Sequence, residues 1–85
     1  MAKYRVLIKA SAAKELETLP KKDRAAVARR IKALGDDPRP PGCQKLSGDE
    51  KYRVRQGSYR IVYLIKDDKI VVVVVKIDHR RDVYR

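Results

Sequence analysis

Hydrophobic and polar positions alternate from Lys3 to Lys9: Tyr4, Val6 and Ile8 fall on one side, and Lys3, Arg5, Leu7 and Lys9 on the other. That period of two predicts a strand with one buried face. Its largely cationic outer face suits a sheet edge, where charge discourages stray pairing. The period then lengthens. Behind Ser11, a candidate N-cap, Ala12, Leu16 and Leu19 recur at i, i+4 and i+7, which predicts a short helix. Pro20 ends it, because the residue before a proline avoids the α region, and suits the first turn of the next helix. There Val27, Ile31 and Leu34 repeat at the same spacing, and Gly35 closes the helix as a C-cap. Two short helices joined at a proline read as a helical hairpin.

Asp36 to Gly42 (DDPRPPG) holds three prolines within four residues and predicts a stiff, extended connector. From Leu46 the pattern turns to β. Tyr52-Arg53-Val54-Arg55 alternates, Gln56-Gly57-Ser58 turns, Tyr59 to Ile65 forms a second strand, Asp67-Asp68 turns again, and Ile70 to Ile77 forms a third. Val71 to Val75 is unbroken valine, so this strand is apolar on both faces and belongs inside the sheet. Asp78 to Arg85 reads as a polar tail. The expected fold is α+β with the order β-α-α-β-β-β. A mainly antiparallel sheet packs on two N-terminal helices in two layers, as one domain over residues 1–85.

Composition changes the picture in one respect. The chain has 85 residues and is 44% hydrophobic, near the globular norm, but Lys and Arg number 22 against 11 Asp and Glu, a net charge of +11. Such an excess predicts polyanionic partners: nucleic acid first, an anionic membrane surface second, an acidic protein third. The length excludes a large cofactor fold. The single Cys43 cannot make an intramolecular disulfide, which suits a reducing, cytoplasmic setting. With one His and one Cys there is no zinc constellation, and no metal or cofactor is expected. No run approaches the length of a membrane span, and the N-terminus has no signal-peptide core, so no membrane association is expected.

Two short helices cover one face of a sheet, and parity decides what the other face carries. Arg53 and Arg55 share one side of their strand, opposite Tyr52 and Val54. Arg60 opposes Ile61, Tyr63 and Ile65 on the next strand. If the helices cover the Tyr52/Val54 side, Arg53, Arg55 and Arg60 converge on the open face. His79, Arg80, Arg81, Tyr84 and Arg85 follow just beyond the valine strand. Crowded cations repel one another, and a polyanion relieves that repulsion; arginine is suited to bidentate phosphate contact. The tyrosines offer stacking surfaces for unpaired bases. The competing reading is a solvated surface whose arginines serve solubility and edge protection.

Such a cluster can also do chemistry. RNA brings its own nucleophile, the 2′-hydroxyl. A protein must hold it in line, stabilise the phosphorane and protonate the leaving 5′-oxygen. Arginines can stabilise the phosphorane but cannot act as bases at neutral pH. His79 is the side chain that naturally titrates near neutrality, and Tyr84 can hydrogen-bond, stack or transfer a proton.

The run Lys45-Leu46-Ser47-Gly48, the hairpin Tyr52-Arg53-Val54-Arg55-Gln56-Gly57-Ser58-Tyr59-Arg60-Ile61-Val62-Tyr63 and the terminal His79-Arg80-Arg81-Asp82-Val83-Tyr84 closely resemble the RelE family of toxin–antitoxin systems. The resemblance covers nearly the whole chain. It is specific to the RelE/ParE superfamily and less specific within it. It implies a metal-independent, ribosome-dependent mRNA endonuclease that cuts A-site codons by 2′-hydroxyl attack and inhibits translation. It implies as partners the ribosome, mRNA and a cognate RelB-like antitoxin, with operator DNA reached only through the toxin–antitoxin complex. Carried over by position, Arg53, Arg55, Arg60, Arg80 and Tyr84 fall on the family's catalytic positions. His79 joins them as the candidate proton carrier, and Lys51, Arg81 and Arg85 are expected to bind RNA. The family pattern has lysines where this chain has Arg53 and Arg55, one of them proposed to help deprotonate the 2′-hydroxyl. Here either His79 is the base or positioning dominates. The alternatives are a ParE-like inhibitor of DNA gyrase that cleaves nothing, and a non-catalytic basic RNA- or ribosome-binding module.

Overall fold

The computed structural model describes residues 3–46 and 50–79. Strand β1 (Arg5–Ile8) is followed by helices α1 (Ala10–Glu17) and α2 (Lys21–Ala33), then by strands β2 (Gln44–Lys45), β3 (Lys51–Gln56), β4 (Tyr59–Lys66) and β5 (Val71–His79). They form one five-stranded sheet in the order β1-β5-β4-β3-β2. β2 to β5 run as an antiparallel meander, and β1 pairs in parallel with β5. This is the expected α+β arrangement with one strand added. β2 was not foreseen, because two residues carry no periodicity.

The helices cover one face. Val27, Ile31 and Leu34 of the second helical stretch and Ala12 of the first bury against Val54, Tyr59, Ile61, Tyr63, Ile65, Val72, Val74 and Ile77. The parity expected for β3 and β4 therefore holds: Val54, Ile61 and Tyr63 face the helices. β5 lies between β1 and β4, inside the sheet as its valine run predicts; Val72 and Val74 face the helices, and Val71 and Val73 alternate to the uncovered face.

Four local expectations are corrected. Ser11 does not cap α1: the helix starts at Ala10, Lys9 is the N-cap residue, and it makes no side-chain cap bond. Pro20 sits at the N-cap of α2 with ψ 147°, one step ahead of the first turn, and its carbonyl accepts from Arg24 N at 2.8 Å. Gly35 is not the C-cap, which is Leu34, and does not adopt positive φ. Its hydrogen serves close approach. A Cβ there would stand 3.0 Å from the Tyr4 carbonyl and 3.2 Å from Val6 Cγ2, where the chain docks β1 through a Tyr4 N to Gly35 O bond of 2.8 Å. Finally, β5 runs from Val71 to His79, where the spacing predicts Ile70 to Ile77 followed by a polar tail.

One irregularity sets the faces of β5. Val62 pairs with Lys76 but Tyr63 pairs with Val74, so Val75 is an extra residue, a β-bulge. Strict alternation from Val72 and Val74 would drive Lys76 into the core. The bulge shifts the phase by one, buries Ile77 instead, and leaves Lys76 exposed.

Candidate functional site

The uncovered face of the sheet is built in cross-strand rows. Arg55 on β3 stands directly opposite Arg60 on β4, which stands opposite Asp78 on β5. The next row runs Gln44, Arg53, Val62, Lys76. A third holds Lys51, Leu64, Val73 and Leu7. Directly opposed residues have Cβ atoms about 5 Å apart, so Arg55 and Arg60 leave the sheet side by side near the Gly57–Ser58 turn, with Arg53 one row away on the same face; the Arg60 guanidinium turns toward Asp78 on β5 and that of Arg53 toward Gln44 on β2. That turn depends on Gly57, whose φ is +60°.

The three arginines differ in freedom. Arg60 is held: its Nε donates to Asp78 Oδ1 at 3.2 Å, and both side chains are only 18% exposed. Arg53 donates from Nη2 to Gln44 Oε1 across to β2. Arg55 is exposed and forms no ion pair among the described residues. Lys51 lies on the same face, half-buried, two rows from Arg55.

His79 is not with them. The bulge places it on the helix-covered face, opposite Tyr59, with the two rings edge-on at 5.0 Å between centroids. Tyr59 in turn donates its hydroxyl proton to Asp23 Oδ2 on α2 at 3.1 Å. His79 stands between two clefts. One, of about 390 Å³, is bounded by Glu15, Thr18 and Leu19. The other, of about 230 Å³, is bounded by Asp23, Gln56 and Ser58. Arg80, Arg81, Tyr84 and Arg85 lie outside the described residues, as do Ser47 and Gly48 of the family-like run. Among the described residues no group of His, Cys, Asp or Glu could hold a metal, and no helix is long and apolar enough to cross a membrane.

A second polar cluster, which sequence reasoning missed, closes the opposite end of β4. Arg39 of the proline-rich connector donates to both oxygens of Asp67, at 3.3 and 2.8 Å, and to the Tyr52 hydroxyl at 3.2 Å. Its guanidinium also lies 5.2 Å from the Tyr52 ring centroid. Tyr4 donates to Asp67 Oδ1 at 2.6 Å. These bonds from Arg39, with that from Tyr4, hold the Asp67 carboxyl down at about 2. The same contact with Asp67 raises Tyr4. Beneath it the Tyr63 hydroxyl, fully buried, donates to the Pro38 carbonyl at 2.8 Å. Burial pushes its pKa well up, with Cys43 adding to the effect. This cluster ties the connector to the β4–β5 turn and to the start of β1. It shapes the scaffold at the far end from the arginine row.

Comparison with known proteins bears on what the arginine face is for. Residues 6–84 match the family described as the ParE toxin of the type II toxin–antitoxin system parDE. The chain is 35% identical to toxin RelG of Mycobacterium tuberculosis, over 96% of this chain and 97% of that one. Its fold superposes on the archaeal RelE–RelB complex of Pyrococcus horikoshii with a TM-score of 0.83 at 30% identity, covering 94% of this chain and 97% of that one. It superposes on the RelBE2 toxin–antitoxin complex of Mycobacterium tuberculosis with a TM-score of 0.81 at 30% identity, covering 92% and 99%.

Proposed function

This chain belongs to the RelE-type toxins of the type II toxin–antitoxin systems, and we propose that it is a ribosome-dependent mRNA endonuclease restrained by a RelB-like antitoxin. The observation that carries the reading is the convergence of Arg53, Arg55 and Arg60 on the one face that the helices leave open. A phosphodiester lying there meets two arginines that stand at directly opposed strand positions. Arg55 is free to make a bidentate contact, and Arg60 is oriented beforehand by Asp78. As the 2′-hydroxyl attacks in line, the extra negative charge of the phosphorane falls on these cations. None of them takes the proton, since arginine keeps its own near neutral pH.

Arg80 and Tyr84 complete the proposed set by family position, with Lys51, Arg81 and Arg85 gripping flanking phosphates. His79 remains the proposed proton carrier because an imidazole can both accept and donate a proton. His79 and Tyr59 lie on the face away from the arginines, so on this reading the message has to pass around the Gly57–Ser58 end of the sheet to reach the imidazole. Partners follow the same reading: the ribosome and mRNA in the cytoplasm, the antitoxin, and operator DNA through the toxin–antitoxin complex.

Primer extension on translating ribosomes tests this. The wild type should leave codon-level cuts, and Arg55→Ala and Arg80→Ala should abolish them. Absence of cuts by the wild type, or undiminished cutting by both variants, overturns the nuclease reading. A second reading has one observation in its favour, the ParE description of the matching family. On it the chain binds DNA gyrase and cleaves nothing. Inhibition of supercoiling by the purified chain, with message left intact, would select it.

A further inference from the structure

Tyr59 has surroundings that the arginine face does not explain. It packs with the core and is buried, yet it carries a hydroxyl. That hydroxyl donates across the layers to Asp23 Oδ2 at 3.1 Å, and the ring stands edge-on to the His79 imidazole at 5.0 Å between centroids. Asp23 lies in the first turn of α2, between Lys22 and Arg24. A carboxylate there suits the helix N-terminus whatever it touches. Its bond to Tyr59 adds a second connection, from helix to ring and from ring to imidazole. Tyr59 and His79 are also directly opposed on β4 and β5, so the ladder itself sets their spacing. An imidazole needs such a hold. The torsion that turns its ring is broad, so a histidine with no wall beside it scatters its nitrogens. His79 borders both clefts described above. The smaller one lies between α2 and the Gly57–Ser58 turn, at the end of the sheet around which a message would pass.

We infer that Asp23 and Tyr59 are positioning residues for His79: the carboxylate holds the tyrosine ring, and the ring holds the plane of the imidazole where it meets the scissile nucleotide. The inference rests on the nuclease reading above and adds to it two residues from the opposite side of the sheet. Their effect is confined to the step that His79 serves. Binding of the message, which the arginines supply, is left alone. Orientation acts on rate, since a misplacement of about 1 Å can cost about 100-fold. A purely supporting role predicts something else. Asp23 and Tyr59 would then hold α2 against β4, and the cost of losing them would add to the cost of losing His79.

The test has two readouts on the intact chain. His79 is its only histidine, so the imidazole can be followed by NMR without ambiguity. In the wild type the His79 ring protons should be displaced by the ring current of Tyr59. Tyr59→Phe, which keeps the ring and guards against misfolding, and Asp23→Ala should both move them toward the position of a free histidine. Asp23→Asn keeps an acceptor for the hydroxyl and should leave them near the wild type. Single-turnover cleavage on message-programmed ribosomes should follow the same order. Tyr59→Phe and Asp23→Ala should lower the maximal rate about tenfold at an unchanged half-saturating concentration, and Asp23→Asn should restore most of it. In a His79→Gln background the same substitutions should slow the reaction no further. If the wild type cuts no message, the nuclease reading falls and the inference with it. If the wild type cuts and His79→Gln cuts as fast, or if the losses add to that of His79→Gln, the positioning role alone is overturned. Ring protons that stay in place in both variants, or a rate that falls only with the folded fraction, overturn it as well.

Discussion

Asp78→Asn separates the roles of the carboxylate that pairs with Arg60 on the arginine face. The substitution keeps the shape and an acceptor but removes the charge that Arg60 Nε meets at 3.2 Å. Two unit charges at about 4 Å interact by about 1 kcal/mol in water and about 4 kcal/mol at an effective dielectric constant near 20. Both side chains are 18% exposed, so most of the pair is shielded from solvent while its edge is still screened. That places the expected loss of folding stability at about 1–2 kcal/mol, between an exposed pair and a fully buried one. In a domain of this size each kcal/mol lowers the melting temperature by about 4–8 °C. RNA binding should move the other way. Arg60 would lose its internal counter-ion and be free for a phosphate, so affinity for a short single-stranded RNA should rise at low salt. The slope of log affinity against log salt should steepen by about 0.7 for the one added contact. Thermal melting and fluorescence anisotropy across a salt series measure both effects. A double-mutant cycle with Arg60→Gln should return a coupling energy near the same 1–2 kcal/mol. A lower stability with an unchanged salt slope would mean that RNA does not run past Arg60. A negligible coupling energy would mean that Asp78 does not hold it.

Three further outcomes are expected. Tyr63→Phe removes a fully buried hydroxyl and leaves the Pro38 carbonyl without that donor, so urea denaturation should show a loss of about 1–2 kcal/mol at unchanged m-value. Asp67 has a folded pKa near 2 against 3.8 for the free side chain. Its contribution is therefore complete above about pH 4 and disappears as the pH falls through about 2. Wild type should be more stable than Asp67→Asn at pH 6, and the gap should close in acid, as chemical denaturation at a series of pH values would record. Ile70→Asn relieves a β-branched residue at φ +56° and should raise stability by up to about 1 kcal/mol in thermal melts. A loss there would show that the exposed isoleucine is held by packing.

Much of the fold was legible because the chain obeys simple periods. The i, i+4, i+7 spacing of Val27, Ile31 and Leu34 buries all three residues. The alternation in Tyr52 to Arg55 sends Val54 inward and leaves Arg55 exposed on the other face. The parallel pairing of β1 with β5 was not readable, since no local pattern reports which edge a distant strand joins. Neither was the Arg39–Asp67–Tyr4 cluster, whose members are separated by up to 63 positions. Glu15 likewise gave no signal. Beyond the end of β1 its carboxylate accepts the Ile77 N–H at 2.9 Å, covering a stretch of sheet edge that β1 is too short to reach.

The placement of His79 turns on a single residue, and the sequence does contain the clue. In the run Val71 to Ile77 the valines invite a strict period of two, yet that period would bury Lys76 and expose Ile77. Burying a lysine without a partner costs far more than a break in the ladder, so the strand gains one residue at Val75 and changes phase. The consequence is carried to the end of the strand: Asp78 moves onto the arginine face to meet Arg60, and His79 moves off it to meet Tyr59. A buried-lysine conflict late in an otherwise regular strand thus predicts a bulge. It also predicts that the residues after it exchange faces relative to simple counting. Deleting Val75 tests this directly. Without the extra residue a regular ladder keeps Lys76 outward opposite Val62 and Asp78 opposite Arg60, so the deletion should cost little, within the about 1 kcal/mol typical of point substitutions. A loss of several kcal/mol would show that Val75 does more than set the phase of β5.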